Sequence, residues 1–162
     1  MAGKSSQKAA SELVILWARL MRIVQRFAER HEEELQLSLP EFRALRVLRR
    51  RGPSRMSRLT DALMLSKQTV SHTVDDLVMS GLATRGEDTN DRRHIVVEVT
   101  SQGVVRLQHY ELEFEEYLTG MMADLDDDEA ASISSALSRL NIEINVKRDS
   151  GYFGSTGKRV DA

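Results

Sequence analysis

Residues 56–81 read MSRLTDALMLSKQTVSHTVDDLVMSG, and the fold can be inferred from this stretch outward. Apolar residues recur at helical spacing on both sides of a break at residues 64–66, which predicts two short amphipathic helices joined by a tight turn. Ser66 stands where it can cap the second helix, and Gly81 stands where that helix ends. The stretch therefore predicts a helix-turn-helix unit.

The second of these helices has two chemically different faces. Val70, Val74, Leu77 and Val78 form an apolar side that would fix the helix to the protein. The outward side near the N-terminus carries small or hydrogen-bonding side chains, namely Ser66, Lys67, Gln68, Thr69, Ser71 and His72. A helix that reads base edges in the major groove of DNA needs both faces. We expect these six residues to contact DNA, although an ordinary surface helix could carry the same polar face.

A β-hairpin is predicted directly after Gly81, because the hydrophobic period changes there from helical to alternating. Residues 82–85 and 95–99 form the strands, and the charged turn between them ends in Asp91, Arg92 and Arg93. A carboxylate beside a guanidinium group holds it in a fixed direction. An arginine presented in this way suits the negative potential of a minor groove, whereas the alternative is a solvated charged turn.

A further helix precedes the helix-turn-helix unit. It begins at Pro40 and Glu41 and ends at Gly52, after which Pro53 cannot continue it. The helix opens a run of arginines with no intervening acid, namely Arg43, Arg46, Arg49, Arg50, Arg51, Arg55 and Arg58. Arg55 and Arg58 lie nearest the helix-turn-helix unit and are the first candidates for phosphate contacts, the alternative for the run being a solvated face.

Long helical patterns flank this centre on both sides. Ser11 is a candidate cap for the N-terminal helix, and Asp126 with Glu129 forms a candidate capping box for the last one. Such long apolar stripes are readily buried against a second copy of the chain. The predicted organisation is a disordered tail at 1–10, a dimerisation helix at 11–38, a DNA-binding domain at 39–103, dimerisation helices at 104–148 and a flexible tail at 149–162.

Composition restricts the chemistry that this chain of 162 residues can perform. It has no cysteine, which excludes disulfides, thiolate zinc sites and cysteine nucleophiles. Residues 40–100 contain eleven basic and eight acidic side chains, whereas residues 101–146 contain two basic and ten acidic ones. This asymmetry favours a polyanionic partner for the middle segment only.

Residues 39–103 resemble the MarR family of winged helix-turn-helix regulators. The matching residues include Pro40-Glu41-Phe42, Asp75-Asp76-Leu77, Ser80-Gly81-Leu82 and Arg85, together with DRRHIVVEVTSQG at residues 91–103, which is similar to the wing signature of the family. With the flanking helices the resemblance extends over about residues 11–147. It implies a mainly α fold with a small β-hairpin wing, in which N- and C-terminal dimerisation helices flank the winged helix-turn-helix.

The resemblance also implies how such a protein engages DNA. A homodimer would bind a pseudo-palindromic double-stranded operator, with recognition helices in successive major grooves and wings in the adjoining minor grooves. Arg93 is then the minor-groove arginine, Asp91 is its orienting partner, and Arg92 contacts phosphate or shares the role. We expect a repressor, although the sequence does not distinguish a repressor from an activator.

A small aromatic or anionic effector is a further implication of the resemblance. Trp17, His31 and Phe42 are candidate lining residues for its site, although each equally fits a place in the core or on the surface. The sequence departs from the family pattern at two positions, because Thr60 replaces a frequent alanine and Met64 replaces a frequent glycine at the turn.

An enzyme and a winged helix that binds only proteins are the two alternatives to a DNA-binding regulator. An enzyme is disfavoured, because the four histidines are scattered and no nucleotide-binding or nucleophile motif is present. The acidic run at 124–129 lacks the Gly and Glu that a calcium loop needs, so neither metal nor cofactor is expected. A winged helix that binds only proteins is the second alternative. With no signal peptide and no apolar span, we expect a cytoplasmic protein without a membrane partner.

Overall fold

The computed structural model describes residues 3–88 and 94–149. Six helices and three strands occupy these ranges. In chain order they are α1 (Lys4–Leu35), α2 (Leu39–Arg51), β1 (Ser54–Arg55), α3 (Met56–Leu63), α4 (Lys67–Met79), β2 (Ala83–Glu87), β3 (Ile95–Val99), α5 (Ser101–Met121) and α6 (Asp127–Asp149). The mainly helical chain with a small sheet agrees with the predicted fold class.

Helix α1 begins earlier than the sequence suggested. The prediction of a disordered tail at 1–10 is wrong from Lys4 onward, because residues 4–38 contain neither glycine nor proline to interrupt a helix. Ser11 is not an N-cap, since its hydroxyl donates to the Gln7 carbonyl inside the helix, at 3.1 Å. Asp149 is the last residue of α6, and the rest of the predicted C-terminal tail lies outside the described residues.

Helices α2 and α3 start and stop at local signals. The Ser38 backbone N–H donates to the Glu41 carboxylate at 2.8 Å, which fixes the start of α2. Gly52, with φ of 73°, ends α2 as predicted, because its backbone conformation favours glycine. Helix α3 ends at Leu63, and its C-cap residue Met64 adopts a left-handed conformation with φ of 55° and begins the predicted turn.

The sheet has three strands in the order β1-β3-β2, all antiparallel. Strands β2 and β3 form the predicted hairpin, in register from Ala83 opposite Val99 to Glu87 opposite Ile95. Strand β1 was not predicted, because two residues are too few to show an alternating pattern. It pairs with β3 and so joins the hairpin to the start of α3.

Thr100 and Gly103 connect the hairpin to α5. The Thr100 hydroxyl donates to the Gly81 carbonyl at 2.8 Å and accepts from the Gly103 backbone N–H at 3.0 Å. The Thr100 backbone N–H also donates to the Leu82 carbonyl. The Thr and Gly of the wing signature thus hold the end of α4, the start of β2 and the start of α5 together.

The chain divides into two compact units, residues 1–115 and residues 116–162. In the first, the C-terminal half of α1 and the N-terminal half of α5 belong with the predicted DNA-binding domain, since Phe27, Leu107 and Tyr110 are all buried. In the second, the predicted capping box is confirmed, because the Glu129 N–H donates to Asp126 at 2.8 Å and the Asp126 N–H donates to Glu129 at 3.1 Å. None of the helices in the described ranges is long and apolar enough to cross a membrane.

Candidate nucleic-acid interface

Helix α4 begins at Ser66, as the sequence predicts. The Ser66 Oγ accepts a hydrogen bond from the Thr69 backbone N–H at 3.1 Å, and the two hydroxyl oxygens lie 2.8 Å apart. This cap satisfies one of the free N–H groups of the first turn, which otherwise point outward. The Thr69 hydroxyl is therefore within hydrogen-bond distance of the capping Ser66 hydroxyl. The side chains of Lys67 and Gln68 extend from the exposed end of the helix.

The two faces of α4 separate much as predicted. Ser66, Lys67, Gln68, Thr69 and His72 are exposed and Ser71 is half-buried, so the six predicted contact residues share one accessible end of the helix. Val70, Val74 and Leu77 are buried, but Val78 is only half-buried.

Thr73 takes a buried place that the sequence prediction missed, at 5% exposure. Its hydroxyl donates to the Thr69 carbonyl at 2.9 Å. The polar atom is thereby satisfied within the helix, and the methyl group is free to pack in the core. The sequence signal for this burial was the helical spacing of Thr73 from the apolar residues Val70 and Leu77.

The wing is linked to α4 by an ion pair. An Arg85 guanidinium nitrogen lies 2.6 Å from an Asp75 carboxylate oxygen, joining β2 to α4. Both residues match the family pattern, but the sequence alone did not pair them. Their contact links the hairpin to α4.

The wing loop is closed at its base by the Asp88 N–H, which donates to the His94 carbonyl at 2.9 Å. Three predicted contact residues, Asp91, Arg92 and Arg93, lie in residues 89–93, outside the described residues. Their roles in the minor groove therefore stay predictions.

The arginines of residues 43–58 differ in their surroundings. Arg43 donates to the Leu63 carbonyl at 2.7 Å, and Arg49 forms a two-pronged pair with Glu111, both N–O distances being 2.8 Å. Arg46 lies 3.7 Å from the same carboxylate, its guanidinium carbon 5.5 Å from the Phe42 ring centre.

Arg55 and Arg58, the two predicted phosphate contacts, have different environments. Arg55 pairs with Asp88, its Nε lying 2.7 Å and its Nη2 2.6 Å from the same carboxylate oxygen. The Arg58 side chain is exposed and has no polar partner within residues 3–88 and 94–149. Arg58 is therefore the better placed of the two to meet a phosphate group.

An aromatic cluster lies among α1, α2 and α5. Tyr110 stacks on Phe42 with ring centres 4.1 Å apart, and Phe27 stacks on His31 at 4.6 Å. Phe27 and Tyr110 meet edge to face at 5.5 Å. Two of the three candidate effector residues thus belong to one cluster, whereas the third, Trp17, is 62% exposed.

The pKa of Tyr110, which belongs to this cluster, is raised. Burial raises the pKa of its phenol above 10.0, and the nearby charge of Glu32 raises it further. Its hydroxyl has no hydrogen-bond partner among the described residues. Within the same part of the chain, no group of three His, Asp or Glu side chains is arranged to hold a metal ion.

A profile described as "MarR family" matches residues 37–95. The uncharacterised HTH-type transcriptional regulator YpoP of Bacillus subtilis is 30% identical over 106 residues, which cover 65% of this chain and 75% of YpoP. The chain belongs to the MarR family of DNA-binding transcriptional regulators. The related YkoM of the same organism is 28% identical over 94 residues, 58% of this chain and 61% of YkoM.

Solved structures agree with the MarR-family fold. A MarR family protein from Bacillus stearothermophilus superposes with a TM-score of 0.70 at 18% identity, covering 86% of this chain and 97% of the other. The F27L mutant of MepR from S. aureus, bound to an oligodeoxyribonucleotide, superposes with a TM-score of 0.58 at 18% identity, covering 82% of this chain and 97% of MepR. These likenesses confirm the predicted winged helix-turn-helix.

Proposed function

We propose that this MarR-family regulator is a repressor that binds a pseudo-palindromic operator as a homodimer. The exposed end of α4 carries the proposal. Lys67, Gln68 and His72 extend from a helix whose opposite face is buried, so the helix is fixed to the domain while its polar groups face outward. The neighbouring wing, fixed by Asp75 and Arg85, would reach the adjoining minor groove.

The wing arginines supply the second part of the proposed contact. Arg93 would enter the minor groove, Asp91 would orient it, and Arg92 would contact phosphate. A structure of MepR bound to an oligodeoxyribonucleotide supports the use of this fold on DNA. Among the arginines of residues 43–58, Arg58 is exposed and is proposed to contact phosphate.

Exposed apolar side chains support the homodimer. On α1, Leu13, Leu16, Trp17 and Leu20 are between 37% and 62% exposed. On α6, Ile133, Leu137, Ile142 and Ile144 are between 41% and 61% exposed. Two helices of one chain that each present such apolar side chains to solvent are typical of surfaces covered by a partner.

Charge also favours a second copy as that partner. From residue 4 to residue 28 the chain has five basic side chains and one acidic one, whereas residues 124–129 contain five acids and no base. The two ends of one chain therefore attract the opposite ends of another, which suits the symmetric interface of a homodimer.

Repression follows from occupancy of the operator. A dimer with two recognition helices and two wings covers about two turns of duplex, which prevents another protein from binding the same DNA. We further propose that a small aromatic or anionic effector releases the dimer by favouring a state with wrongly spaced recognition helices. His31 and Phe42 already stack on other rings of the aromatic cluster, so the residues that would line the effector site stay a prediction. A panel of small aromatic carboxylic acids tests the proposed release, because a true effector must both raise the melting temperature and release the operator.

Selection of bound fragments from random duplexes, followed by footprinting, tests the main proposal. We expect two half-sites with centres about 10 base pairs apart and an affinity that falls steeply with salt. A single asymmetric half-site would contradict the dimer. The absence of any preferred duplex at modest ionic strength would instead favour a winged helix that binds only proteins.

A further inference from the structure

Arg55 precedes α3, but its side chain does not cap this helix. It is the N-cap residue of α3, with φ of −68° and ψ of 151°, and it makes no side-chain cap. Ser, Thr, Asp and Asn are the usual residues here, because their oxygen accepts from a free backbone N–H. A guanidinium group cannot accept, so the arginine leaves the helix end uncapped and must be explained by contacts elsewhere.

Those contacts lie across the sheet, at the base of the wing. Arg55 on β1 pairs in register with Val96 of β3, and Val96 pairs in turn with Gly86 of β2. Residues in one such row project to the same face, as does Asp88 two positions beyond Gly86. The guanidinium group crosses this face to Asp88, whose carboxylate is only 12% exposed.

The Arg55–Asp88 contact is a short, partly buried ion pair and not a solvent-exposed surface pair. Two N–H groups, Nε and Nη2, reach one carboxylate oxygen at 2.7 and 2.6 Å. Charged hydrogen bonds of this length are among the stronger ones in proteins. The Asp88 backbone simultaneously closes the loop by donating to His94, so this residue is held through both its side chain and its main chain.

We propose that Arg55 and Asp88 act as positioning residues that fix the base of the wing for DNA binding, and that Arg55 is not itself a phosphate contact. This inference rests on the proposed operator binding. The helix-turn-helix and the wing are then joined twice, by Arg55 with Asp88 through β1 and by Arg85 with Asp75 through α4. A wing fixed before binding loses less conformational freedom when it meets the groove.

Whether Asp88→Asn tightens or weakens operator binding shows whether Arg55 positions the wing or contacts phosphate. Asp88→Asn removes a negative charge near the proposed DNA surface, so electrostatics alone predicts tighter binding. If Asp88 positions the wing, the same change weakens binding, because the wing then occupies its competent position for only part of the time. We expect the dissociation constant for the selected operator to rise about 3- to 10-fold.

The Arg55→Thr variant guards against a trivial loss of fold. Threonine is a good N-cap, so the new cap partly offsets the unpaired Asp88 carboxylate, and this variant should stay folded at the assay temperature while binding the operator about 3- to 10-fold more weakly. Because both substitutions break one contact, the Arg55→Thr, Asp88→Asn double variant should bind within about twofold of either single variant.

Arg58→Ala is the matched control on the same helix, since Arg58 is exposed and lacks a polar partner in the described parts of the chain. It should lower the salt slope by about 1, whereas Arg55→Thr should leave the slope unchanged. Hydroxyl-radical footprinting should show minor-groove protection lost at the operator flanks in both wing variants, with the major-groove contacts retained.

Tighter binding by Asp88→Asn, or additive effects in the double variant, would overturn the positioning role while leaving operator binding intact. A reduced salt slope for Arg55→Thr would likewise identify Arg55 as a phosphate contact. If the wild-type protein prefers no duplex at all, both the positioning role and the proposed function fail.

Discussion

Gly103 packs directly against the Leu82 carbonyl oxygen, so closely that a Cβ on Gly103 would overlap it. The same Cβ would also lie 2.9 Å from a Val99 methyl group. The obstacle is mainly backbone at the start of β2, which a side-chain rotation cannot move. This close approach is why a glycine follows the threonine of the wing signature.

Gly103→Ala is therefore expected to destabilise the protein by about 1–3 kcal/mol or more, because the start of α5 must move away from β2. Urea unfolding of the purified variant measures the change. Gly120→Ala is the matched control in the same helix, since a Cβ there meets nothing within 4 Å. It should raise stability by up to about 1 kcal/mol, and an equal loss in both variants would contradict the packing argument.

Tyr110→Phe should stabilise the protein at neutral pH by up to about 1 kcal/mol, because it removes a buried hydroxyl without a partner in the described structure. The raised pKa of Tyr110 adds a pH dependence. The phenol ionises first in the unfolded chain, so its contribution is constant below about pH 10 and stability falls as pH rises through the unfolded and then the folded pKa.

Urea midpoints measured between about pH 9 and pH 11 check this point. The decline should be shallower in Tyr110→Phe than in the wild type. Identical profiles for Tyr110→Phe and the wild type would contradict the role given to burial.

Met64→Gly should increase stability by roughly 0.5–1 kcal/mol. Met64 holds a φ of 55°, which costs a residue with a side chain about 1–2 kcal/mol, partly offset by the greater freedom of glycine in the unfolded chain. Its side chain is 89% exposed, so little burial is lost. Met79→Gly, at a helical position that is 85% exposed, should instead lower stability by up to about 1 kcal/mol. Thermal unfolding of both variants decides the matter.

Trp17→Glu should weaken the proposed homodimer by at least about tenfold, because tryptophan at the centre of an interface often carries much of its binding energy. The isolated chain should still fold, since Trp17 is 62% exposed in it. Analytical ultracentrifugation gives the dissociation constant, and operator binding should weaken in parallel. Met79→Glu, at 85% exposure and outside both predicted dimerisation segments, should remain dimeric. An unaltered dimer in Trp17→Glu would exclude this part of α1 from the interface.

Arg93→Ala should cost about 1–3 kcal/mol of specific operator binding, as expected for an arginine that enters a groove, and unchanged operator affinity would refute that role. Lys67→Ala should instead weaken binding to all duplexes alike and reduce the salt slope by about 1 if its ammonium group contacts phosphate. Titrations of operator and random duplexes at several salt concentrations distinguish the two effects.

Features determined by near neighbours in the chain could be predicted from the sequence. The Ser66 cap depends on a residue three positions away, and the Asp126–Glu129 box has the same spacing. The hairpin followed from a change in hydrophobic period. The family resemblance further predicted the dimer and the roles of residues 91–93, which stay predictions.

Features that depend on distant residues were not visible. Arg55 and Asp88 are separated by 33 positions, and no local pattern marks one as the partner of the other. The start of α1 was missed for a different reason, because small polar residues fit a disordered tail and a solvated helix equally well. Strand β1 exists only because β3 offers it a pairing edge.

The partners of the arginines that precede α3 determine how strongly each arginine attracts DNA at long range. Arg49 and Arg55 have their charges offset by carboxylates, so an approaching polyanion senses them only weakly at long range. Arg43, by contrast, is held by the neutral Leu63 carbonyl and keeps its full charge in the surrounding field, although its guanidinium group is already engaged. The number of basic residues in such a chain therefore overstates its affinity for duplex DNA. Arg43 can still raise the association rate without contacting a phosphate.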